Sequence, residues 1–502
     1  MRVALPSTAA QRRLCRTASG GPTSRGVVRR RTGLGARLAA LASLVAGCTD
    51  PTGGKASDAD APLRLSVAPA AVRCTAGESV TVRASLDGGE HGARVSFVVA
   101  HPGRAAVDAG GATATVRCAV RGRTTIAVTA ARGGRRVATT VPVEVARRPA
   151  TVVLFATPKM LADFAHPERG VADFMRHYQA LTGPAAETIV IFGVGNSEHV
   201  LSYRGPRYWS DSVMWAAYTD GKDVPAFARK LRYRQIADIV RTFKAYGAAT
   251  GMRLKVYDQI DPGPEMAWEY WKYTRHPECM DLRLESFDIR GRLKPDTLIY
   301  ASAPGGAPAG KLCGEFIADQ AAAYLRDLDF DGILYGNQFG TRGKWEEGRG
   351  PGYTQAEADA IHDFLAYSRR VYGPREIMWF DSYNNVRVER ETFSFPSTGY
   401  RFFDYLMASG FCVITDTEKY VDNLESKLRL SGPRILATLD YVDPWYTYDS
   451  MRDFPAESMR LEAIALRNRD RIDGVVFFAN DHHGAPVPRR RIEAFATQFY
   501  AE

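Results

Sequence analysis

The chain has 502 residues, long enough for two or three domains. Its composition, 45% hydrophobic and 24% charged, is that of a globular protein and excludes a disordered or collagen-like chain. The net charge of +10 suggests nucleic-acid binding at first sight, but nine Arg and no Lys, Asp or Glu fall within residues 1–47. Because the remainder is nearly neutral, we expect no nucleic-acid partner.

Residues 1–47 have the pattern of a lipoprotein signal peptide. A basic stretch (26–37) precedes the apolar run LAALASLVA (38–46), which is far shorter than the roughly 20 residues of a membrane-spanning helix. Val45-Ala46-Gly47-Cys48 resembles the bacterial lipobox. The resemblance implies that Cys48 is lipidated and that the protein is exported and anchored to the bacterial membrane, at the cell surface or in the periplasm.

Two segments follow the signal. Residues 48–62 are small and polar, which predicts a flexible tether. Residues 63–147 consist of short alternating runs separated by Gly-rich turns, which predicts a small all-β sandwich. It looks like the bacterial immunoglobulin-like modules of surface proteins, and a spacer or interaction role is expected.

Residues 148–502 contain eight short apolar runs, most of them followed by stretches of helical composition. Most runs end in polar or acidic residues, as in RLKVYDQID (253–261), IMWFDSYNN (377–385) and RILATLDYVD (434–443). Eight β-then-α units predict an α/β fold of the (β/α)8, or TIM-barrel, type, in which chemistry lies at the C-terminal ends of the strands.

Cysteine positions agree with export. Cys74 and Cys118 fall in the predicted sandwich, and Cys279 and Cys313 flank a loop-rich insertion after the third run, so each pair can form a disulfide. Cys412 lies inside an apolar run and is expected to be a buried thiol.

Acidic residues at the predicted strand ends suggest a glycosidase, which needs two carboxyl groups. Asp381 and Asp440 are the first catalytic candidates because each ends an apolar run and is flanked by aromatic or amide residues. They come from alternate strands and can therefore share one layer of the barrel mouth. Asp258 is the third candidate. For each of the three, a structural acid pairing with Arg or capping a helix remains the alternative.

Other polar and aromatic residues near the strand ends are candidates for binding a carbohydrate, since sugar rings stack on aromatic side chains and amides bind hydroxyl groups. The predicted substrate-binding set is Asn196, Trp209, Asn337, Gln338, Tyr383, Asp443, Trp445, Asn480 and Asp481.

Several patterns argue against other chemistry. His482 and His483 are adjacent and diverge in direction, so joint metal ligation is not expected. Nucleotide-binding and serine-hydrolase motifs are absent from the sequence. We therefore expect no metal and no cofactor. Asp331 precedes the fourth run, at the bottom of the predicted barrel, where its loss is expected to cost stability rather than activity.

Two stretches resemble the endo-β-N-acetylglucosaminidases of glycoside hydrolase family 85. Phe330-Asp331-Gly332 matches the family's fourth strand, and Trp379-Phe380-Asp381-Ser382 matches the fifth, with Phe403-Asp404 following. The resemblance implies a glycosidase-type barrel. The family's catalytic Asn-x-Glu is replaced by Gly336-Asn337-Gln338, so its mechanism does not transfer.

The sequence thus predicts a monomeric, surface-anchored glycoside hydrolase whose partners are a carbohydrate substrate and the membrane. Two alternatives stay open. One is a non-catalytic carbohydrate-binding lipoprotein on a degenerate barrel, which Gln338 favours. The other is a polysaccharide deacetylase or another hydrolase, which would normally need a metal.

Overall fold

The computed structural model describes residues 63–87, 92–147, 150–156, 161, 166–192, 198–215, 229–260, 276–281, 286–287, 289–335, 355–381, 397–408, 417–430, 432–440, 454–478 and 489–501. The chain divides into two compact units at Arg147. Each unit has its own apolar core and is described by itself.

The first unit is a β-sandwich of two four-stranded sheets. Sheet order is β1-β3-β6-β5 in one sheet and β2-β8-β7-β4 in the other. The strands are β1 (Leu65–Ala68), β2 (Val72–Thr75), β3 (Ser79–Leu86), β4 (Arg94–Val99), β5 (Ala105–Gly110), β6 (Thr113–Cys118), β7 (Gly122–Arg132) and β8 (Arg135–Ala146).

Alternation along these strands builds the sandwich core. In β7, Ile126, Val128 and Ala130 are buried and the residues between them are more exposed. The inward side chains of both sheets form one apolar cluster. The Cys74–Cys118 disulfide links β2 of one sheet to β6 of the other, as the cysteine positions allowed.

The second unit contains a closed barrel of eight parallel strands, which confirms the predicted α/β barrel. Strand order around it is β9-β10-β13-β16-β17-β18-β19-β20, which is also chain order. These strands are β9 (Thr151–Ala156), β10 (Glu187–Phe192), β13 (Leu254–Ile260), β16 (Gly332–Tyr335), β17 (Glu376–Asp381), β18 (Tyr405–Ala408), β19 (Arg434–Asp440) and β20 (Gly474–Phe478).

Helices and short hairpins occupy the connections. The helices are α1 (Pro167–His177), α2 (Gln179–Thr182), α3 (Glu198–Leu201), α4 (Tyr233–Thr250), α5 (Cys313–Asp327), α6 (Gln355–Tyr372), α7 (Thr417–Lys427), α8 (Phe454–Arg467) and α9 (Arg489–Tyr500). The connection after β10 includes the hairpin β11 (Ser212–Trp215) and β12 (Arg229–Arg232), and the one after β13 includes β14 (Met280–Asp281) and β15 (Ser286–Phe287).

Successive strand residues divide between two apolar layers. One set, which includes Val153, Ile191, Tyr257, Met378 and Leu436, fills the barrel lumen. The alternate set packs against the helices in a larger cluster. This division assigns each strand position either to the lumen or to the strand–helix layer.

Four charged side chains and two tyrosines close the N-terminal end of the lumen. We call this group the barrel floor: Glu187, Lys255, Tyr257, Glu376, Tyr405 and Arg434. Lys255 Nζ lies 2.6 Å from a carboxylate oxygen of Glu187 and of Glu376. Arg434 contacts the same two carboxylates, at 3.2 and 3.5 Å. Tyr405 donates a hydrogen bond to Glu187, and Tyr257 donates one to Glu376. The floor thus joins four strands by paired charges.

Three aspartates, which we call the clip aspartates, bind the start of one strand to the next. Asp331 accepts a hydrogen bond from the Val256 backbone N–H at 2.9 Å. Asp404 and Asp473 each accept the equivalent bond at 2.8 Å, from Ile377 and Ile435. Each therefore ties an odd-numbered strand of the barrel to the even-numbered strand that follows.

The placement of Asp331 agrees with the structural role predicted for it. Its second carboxylate oxygen lies 3.0 Å from Lys244 Nζ on α4. The glycine after it is required by close packing, because a Cβ at Gly332 would lie 2.6 Å from the Glu376 carbonyl oxygen. The space at Gly474, after Asp473, is smaller still, because a Cβ placed there would lie 1.9 Å from the Thr151 carbonyl oxygen.

Candidate functional site

The C-terminal edge of the barrel holds the strand ends at which catalytic groups were predicted. Asp381 is the last residue of β17 and Asp440 is the last residue of β19. In the sheet, Asp381 pairs with Ala408 of β18, and Asp440 pairs with Phe478 of β20. The structure describes the backbone of both aspartates, which lie on strands separated by β18 alone.

The barrel floor shows that these two strand ends lie at similar height. Glu376 and Arg434 are in contact at the floor, and both belong to the lumen-facing series. Asp381 is five residues beyond Glu376, and Asp440 is six residues beyond Arg434. At about 3.3 Å per residue, both therefore lie roughly 17–20 Å above the floor.

Most of the other predicted site residues lie outside the described residues. These are Asn196, Asn337, Gln338, Tyr383, Asp443, Trp445, Asn480 and Asp481, and their assignment to substrate binding remains a prediction. Cys48 and Cys412 also lie outside the described residues.

Asp258 lies in the strand–helix layer rather than in the lumen. Its neighbours on β13 divide as alternation requires: Tyr257 belongs to the lumen cluster, whereas Val256 and Ile260 belong to the outer one. Asp258 has no exposed surface and lies 2.7 Å from His199 Nε2, which is also fully buried. Its placement therefore differs from the substrate-facing position expected from the sequence.

Aromatic residues enclose the Asp258–His199 pair. The Tyr324 ring of α5 lies 5.4 Å from the His199 ring. Tyr233, at the start of α4, donates a hydrogen bond to the His199 carbonyl oxygen at 2.6 Å. Burial, and then the nearby Asp258 carboxylate, raises the pKa of Tyr324 well above its ordinary value. This packing gives the pair a structural role that links α3 to β13.

His199 is a residue that sequence reasoning missed. It lies in α3, soon after the polar end of the second apolar run, and its acidic partner is 59 residues away. A single His among polar residues carries no local pattern, so only the fold brings the pair together.

Trp209 packs at the edge of the same region. Its indole N–H donates a hydrogen bond to the Tyr203 hydroxyl at 3.1 Å, and that hydroxyl donates one to Asp327 at 3.0 Å. Tyr203 itself is fully buried. Trp209 is partly exposed, so the structure gives it a packing role and leaves part of the ring accessible.

A second buried histidine organises the insertion after β13. The Nδ1 atom of His276 lies 2.9 Å from a carboxylate oxygen of Glu278, and its Nε2 atom lies 3.3 Å from a carboxylate oxygen of Asp296. The side chain of His276 is 1% exposed. The Cys279–Cys313 disulfide joins the same insertion to α5. Burial alone would raise the pKa of Glu278, but hydrogen bonds from the Lys294 backbone N–H and from His276 lower it. The insertion is therefore held both covalently and electrostatically.

Among the described residues, no group of three or more His, Cys, Asp or Glu side chains is arranged to hold a metal ion. Within that same part of the chain, no helix combines the length and apolarity needed to cross a membrane.

Comparisons with known proteins give matches among solved structures. No protein-family model matches the chain, and no curated protein matches it. A family 18 chitinase from Crocus vernus is similar over 66% of this chain and 93% of its own, at 9% identity and a TM-score of 0.32. The glycoside hydrolase domain of PelA from Pseudomonas aeruginosa is similar over 67% of this chain and 97% of its own, at 12% identity and a TM-score of 0.30.

A shorter likeness concerns a small part of the chain. Domains 4 and 5 of the S-layer protein SbsC match 16% of it at 26% identity and a TM-score of 0.14. The match spans 50% of the SbsC fragment. Because all these TM-scores are below 0.5, the fold assignment rests on the strand order and the register of the barrel.

Proposed function

We propose that this protein is an exported, lipid-anchored glycoside hydrolase that acts on an extracellular polysaccharide or glycan. The observation that carries the proposal is the pair of aspartates that end β17 and β19, at similar height on the C-terminal edge of a closed (β/α)8 barrel. Glycoside hydrolysis requires two carboxyl groups on either side of the scissile bond.

In the proposed reaction, one aspartic acid protonates the glycosidic oxygen as the bond to the sugar breaks. The other, as a carboxylate, attacks the anomeric carbon or removes a proton from the attacking water. The sugar would be bound by amide, acidic and aromatic side chains that follow the strand ends in the sequence: Asn337, Gln338, Tyr383, Asp443 and Trp445.

The test uses Asp440→Asn and Asp381→Asn in the chain that starts at residue 49. A glycan panel first identifies a substrate that the parent cleaves, with product release followed by chromatography. Loss of one general acid–base group typically costs 10²–10⁴-fold in kcat, so a reduction of at least about 100-fold is expected for each of the two variants. Asp363→Asn, at a side chain 86% exposed on α6, is the matched control and should leave turnover unchanged. Full turnover by both strand-end variants would refute the catalytic assignment.

The sequence favours one second candidate, a carbohydrate-binding protein without catalysis. Gln338 follows β16 at the position where the resembled family has its catalytic Glu. Binding of a glycan that is never cleaved, even at high protein concentration, would support this alternative. In that case Asp440→Asn would alter the affinity for the glycan, and neither the parent nor the variant would release a product.

A further inference from the structure

The barrel lumen is built in layers above its charged floor. Glu376 of the floor lies within 3.5 Å of both Lys255 and Arg434, so these residues of β17, β13 and β19 share one level. Four residues beyond them, about 13 Å further along each strand, the same strands contribute to a common layer of the lumen. The described members of this layer, which we call the upper layer, are Phe155, Gln259, Phe380 and Thr438.

Strand alternation places both polar members of the upper layer in the lumen. Tyr257 belongs to the lumen cluster and Ile260 to the outer one, so Gln259 faces the lumen. Leu439 belongs to the outer cluster, so its neighbour Thr438 faces the lumen as well. Between the barrel floor and this layer, the described lumen side chains are apolar. The upper layer therefore returns polar groups to the lumen close to its C-terminal end.

Two phenylalanines alternate with these polar groups. Phe155 lies four residues after Thr151, which pairs with Glu187 of the floor. Phe155 and Phe380 belong to the lumen cluster and are 4% and 6% exposed. Their strands are the first and fifth of the barrel, whereas the polar residues belong to the third and seventh. The order around the layer is therefore Phe, Gln, Phe, Thr.

The polar groups of the upper layer have free hydrogen-bonding capacity. The Thr438 hydroxyl is buried, and no group in the structure forms a hydrogen bond with it. Gln259 is partly exposed, and none of the described residues forms a hydrogen bond with its side-chain amide. A ligand hydroxyl that bonds Thr438 gains a hydrogen bond without displacing one from the protein, so the layer favours a ligand with hydroxyl groups.

The charge distribution favours an uncharged ligand. From just above the floor up to the upper layer, none of the described lumen-facing side chains is charged, and the cations of the floor are paired with carboxylates. The strand ends that follow are acidic: Asp381 comes directly after Phe380, and Asp440 is two residues beyond Thr438. A ligand carboxylate at this level would therefore lack a cation and approach two further acidic residues.

We propose that the upper layer binds an uncharged sugar unit of the substrate at the C-terminal end of the lumen. The Gln259 amide bonds one hydroxyl group of the sugar, and a second hydroxyl group supplies the partner that Thr438 lacks. Phe155 and Phe380 contact the apolar C–H face of the ring. The proposal rests on the carbohydrate substrate proposed above, and it names the chemical class of the sugar and two residues that select it.

The test measures binding to residues 49–502 by saturation-transfer NMR. The neutral probes are oligosaccharides of cellulose, mannan, galactan and chitin, and the acidic probes are oligosaccharides of polygalacturonate and alginate. The parent is expected to bind at least one neutral probe more tightly than any acidic probe. Gln259→Met keeps the length of the side chain without its amide and should weaken that binding by about tenfold, the effect of losing one hydrogen bond. Thr438→Val should weaken it by about as much.

Thr188→Val is the matched control. Thr188 also has a buried hydroxyl without a hydrogen-bond partner, but its neighbour Ile189 belongs to the lumen cluster, so Thr188 faces the helices. Both Thr→Val variants should melt at or above the parental temperature, since each removes an unpaired buried hydroxyl. Only Thr438→Val should lose affinity for the neutral probe, which a purely structural role of Thr438 would not produce.

Parental affinity in both Gln259→Met and Thr438→Val would overturn the proposal. Tighter binding of an acidic probe, or no binding of any neutral probe, would overturn it as well. Product release, followed separately, tests the hydrolase assignment. A neutral probe that is bound through Gln259 and Thr438 but never cleaved would support this inference and contradict hydrolysis. A probe that both variants cleave with the parental kcat/KM would support hydrolysis and contradict this inference.

Discussion

Asp258 and His199 form a polar pair with no exposed surface, held by residues from three elements. Removing one partner of a buried hydrogen bond leaves the other polar atom without a partner, which typically costs about 1–3 kcal/mol. The pair connects α3, which follows β10, to β13. It therefore contributes to stability and to the position of the loop after β10, and the catalytic candidates lie elsewhere on the rim.

We predict that Asp258→Asn lowers the free energy of unfolding by about 2 kcal/mol, because the change disturbs the buried hydrogen bond between residue 258 and His199 Nε2. Urea unfolding followed by circular dichroism measures the change. Folded Asp258→Asn should retain most of its kcat on any substrate that the parent cleaves. A variant with parental stability and a kcat reduced 100-fold would instead make Asp258 catalytic.

At the scale of elements, the clip aspartates recur with a period of two strands. Each follows an apolar residue directly, in Phe330-Asp331, Phe403-Asp404 and Ile472-Asp473. Asp404 also binds Arg369 through both carboxylate oxygens, at 2.7 and 2.9 Å. The Phe-Asp pairs that resemble a glycosidase family are thus explained by hydrogen bonding at the bottom of this barrel.

We predict that Asp404→Ala destabilises the barrel more than Asp331→Ala. Asp404→Ala would remove the acceptor of the Ile377 N–H and both carboxylate contacts of Arg369, at a cost of about 3 kcal/mol, against about 2 kcal/mol for Asp331→Ala. Denaturant midpoints of the two variants, at equal slope, provide the comparison. The reverse order would show that the bidentate Arg369 contact contributes little.

The disulfide of the insertion gives another prediction at this scale. Replacing both Cys279 and Cys313 by Ser should cost about 3–4 kcal/mol, since the bond closes a loop of 34 residues. The His276 contacts should keep the insertion partly ordered, so protease sensitivity should rise first between residues 276 and 313. Proteolysis mapped by mass spectrometry distinguishes this outcome from unfolding of the whole barrel.

Sequence patterns predicted the elements well and the directions of side chains poorly. The eight apolar runs predicted the barrel, and the cysteine positions predicted which residues could form the two disulfides. In RLKVYDQID, however, Tyr257 and Asp258 are adjacent, and either can face the lumen. The choice depends on Glu376 and His199, which are 119 and 59 residues away from their partners. Contacts of that separation leave no local signal, which is why Asp258 was predicted at the rim.

For the whole molecule, the two units have separate cores and are expected to unfold separately. The sandwich depends on alternating strands and one disulfide, whereas the barrel depends on its two apolar layers and its charged floor. Acid should therefore affect the barrel first, because its floor relies on the Glu187 carboxylate, whose pKa is lowered.

Burial would raise the pKa of Glu187, but hydrogen bonds from Lys255 and Tyr405 and the charges of Lys255 and Arg434 lower it below the ordinary value of 4.5. A lowered carboxyl pKa stabilises the folded state above pH 4.5, and this contribution is lost as the pH falls through the lower native pKa. We predict that Glu187→Gln destabilises the barrel by about 3 kcal/mol at neutral pH, and that the difference from the parent shrinks below pH 4.5. Unfolding measured from pH 7 to pH 3 tests this, and a difference independent of pH would contradict it.

The clip aspartates also bear on how the barrel can be cut and rejoined. Each joins two consecutive strands of the barrel, so the hydrogen bonds pair β13 with β16, β17 with β18 and β19 with β20. A circular permutant opened between β16 and β17 keeps all three bonds between strands that remain consecutive. One opened between β17 and β18 must form the Asp404 bond between its two chain ends, and it should fold more slowly for that reason.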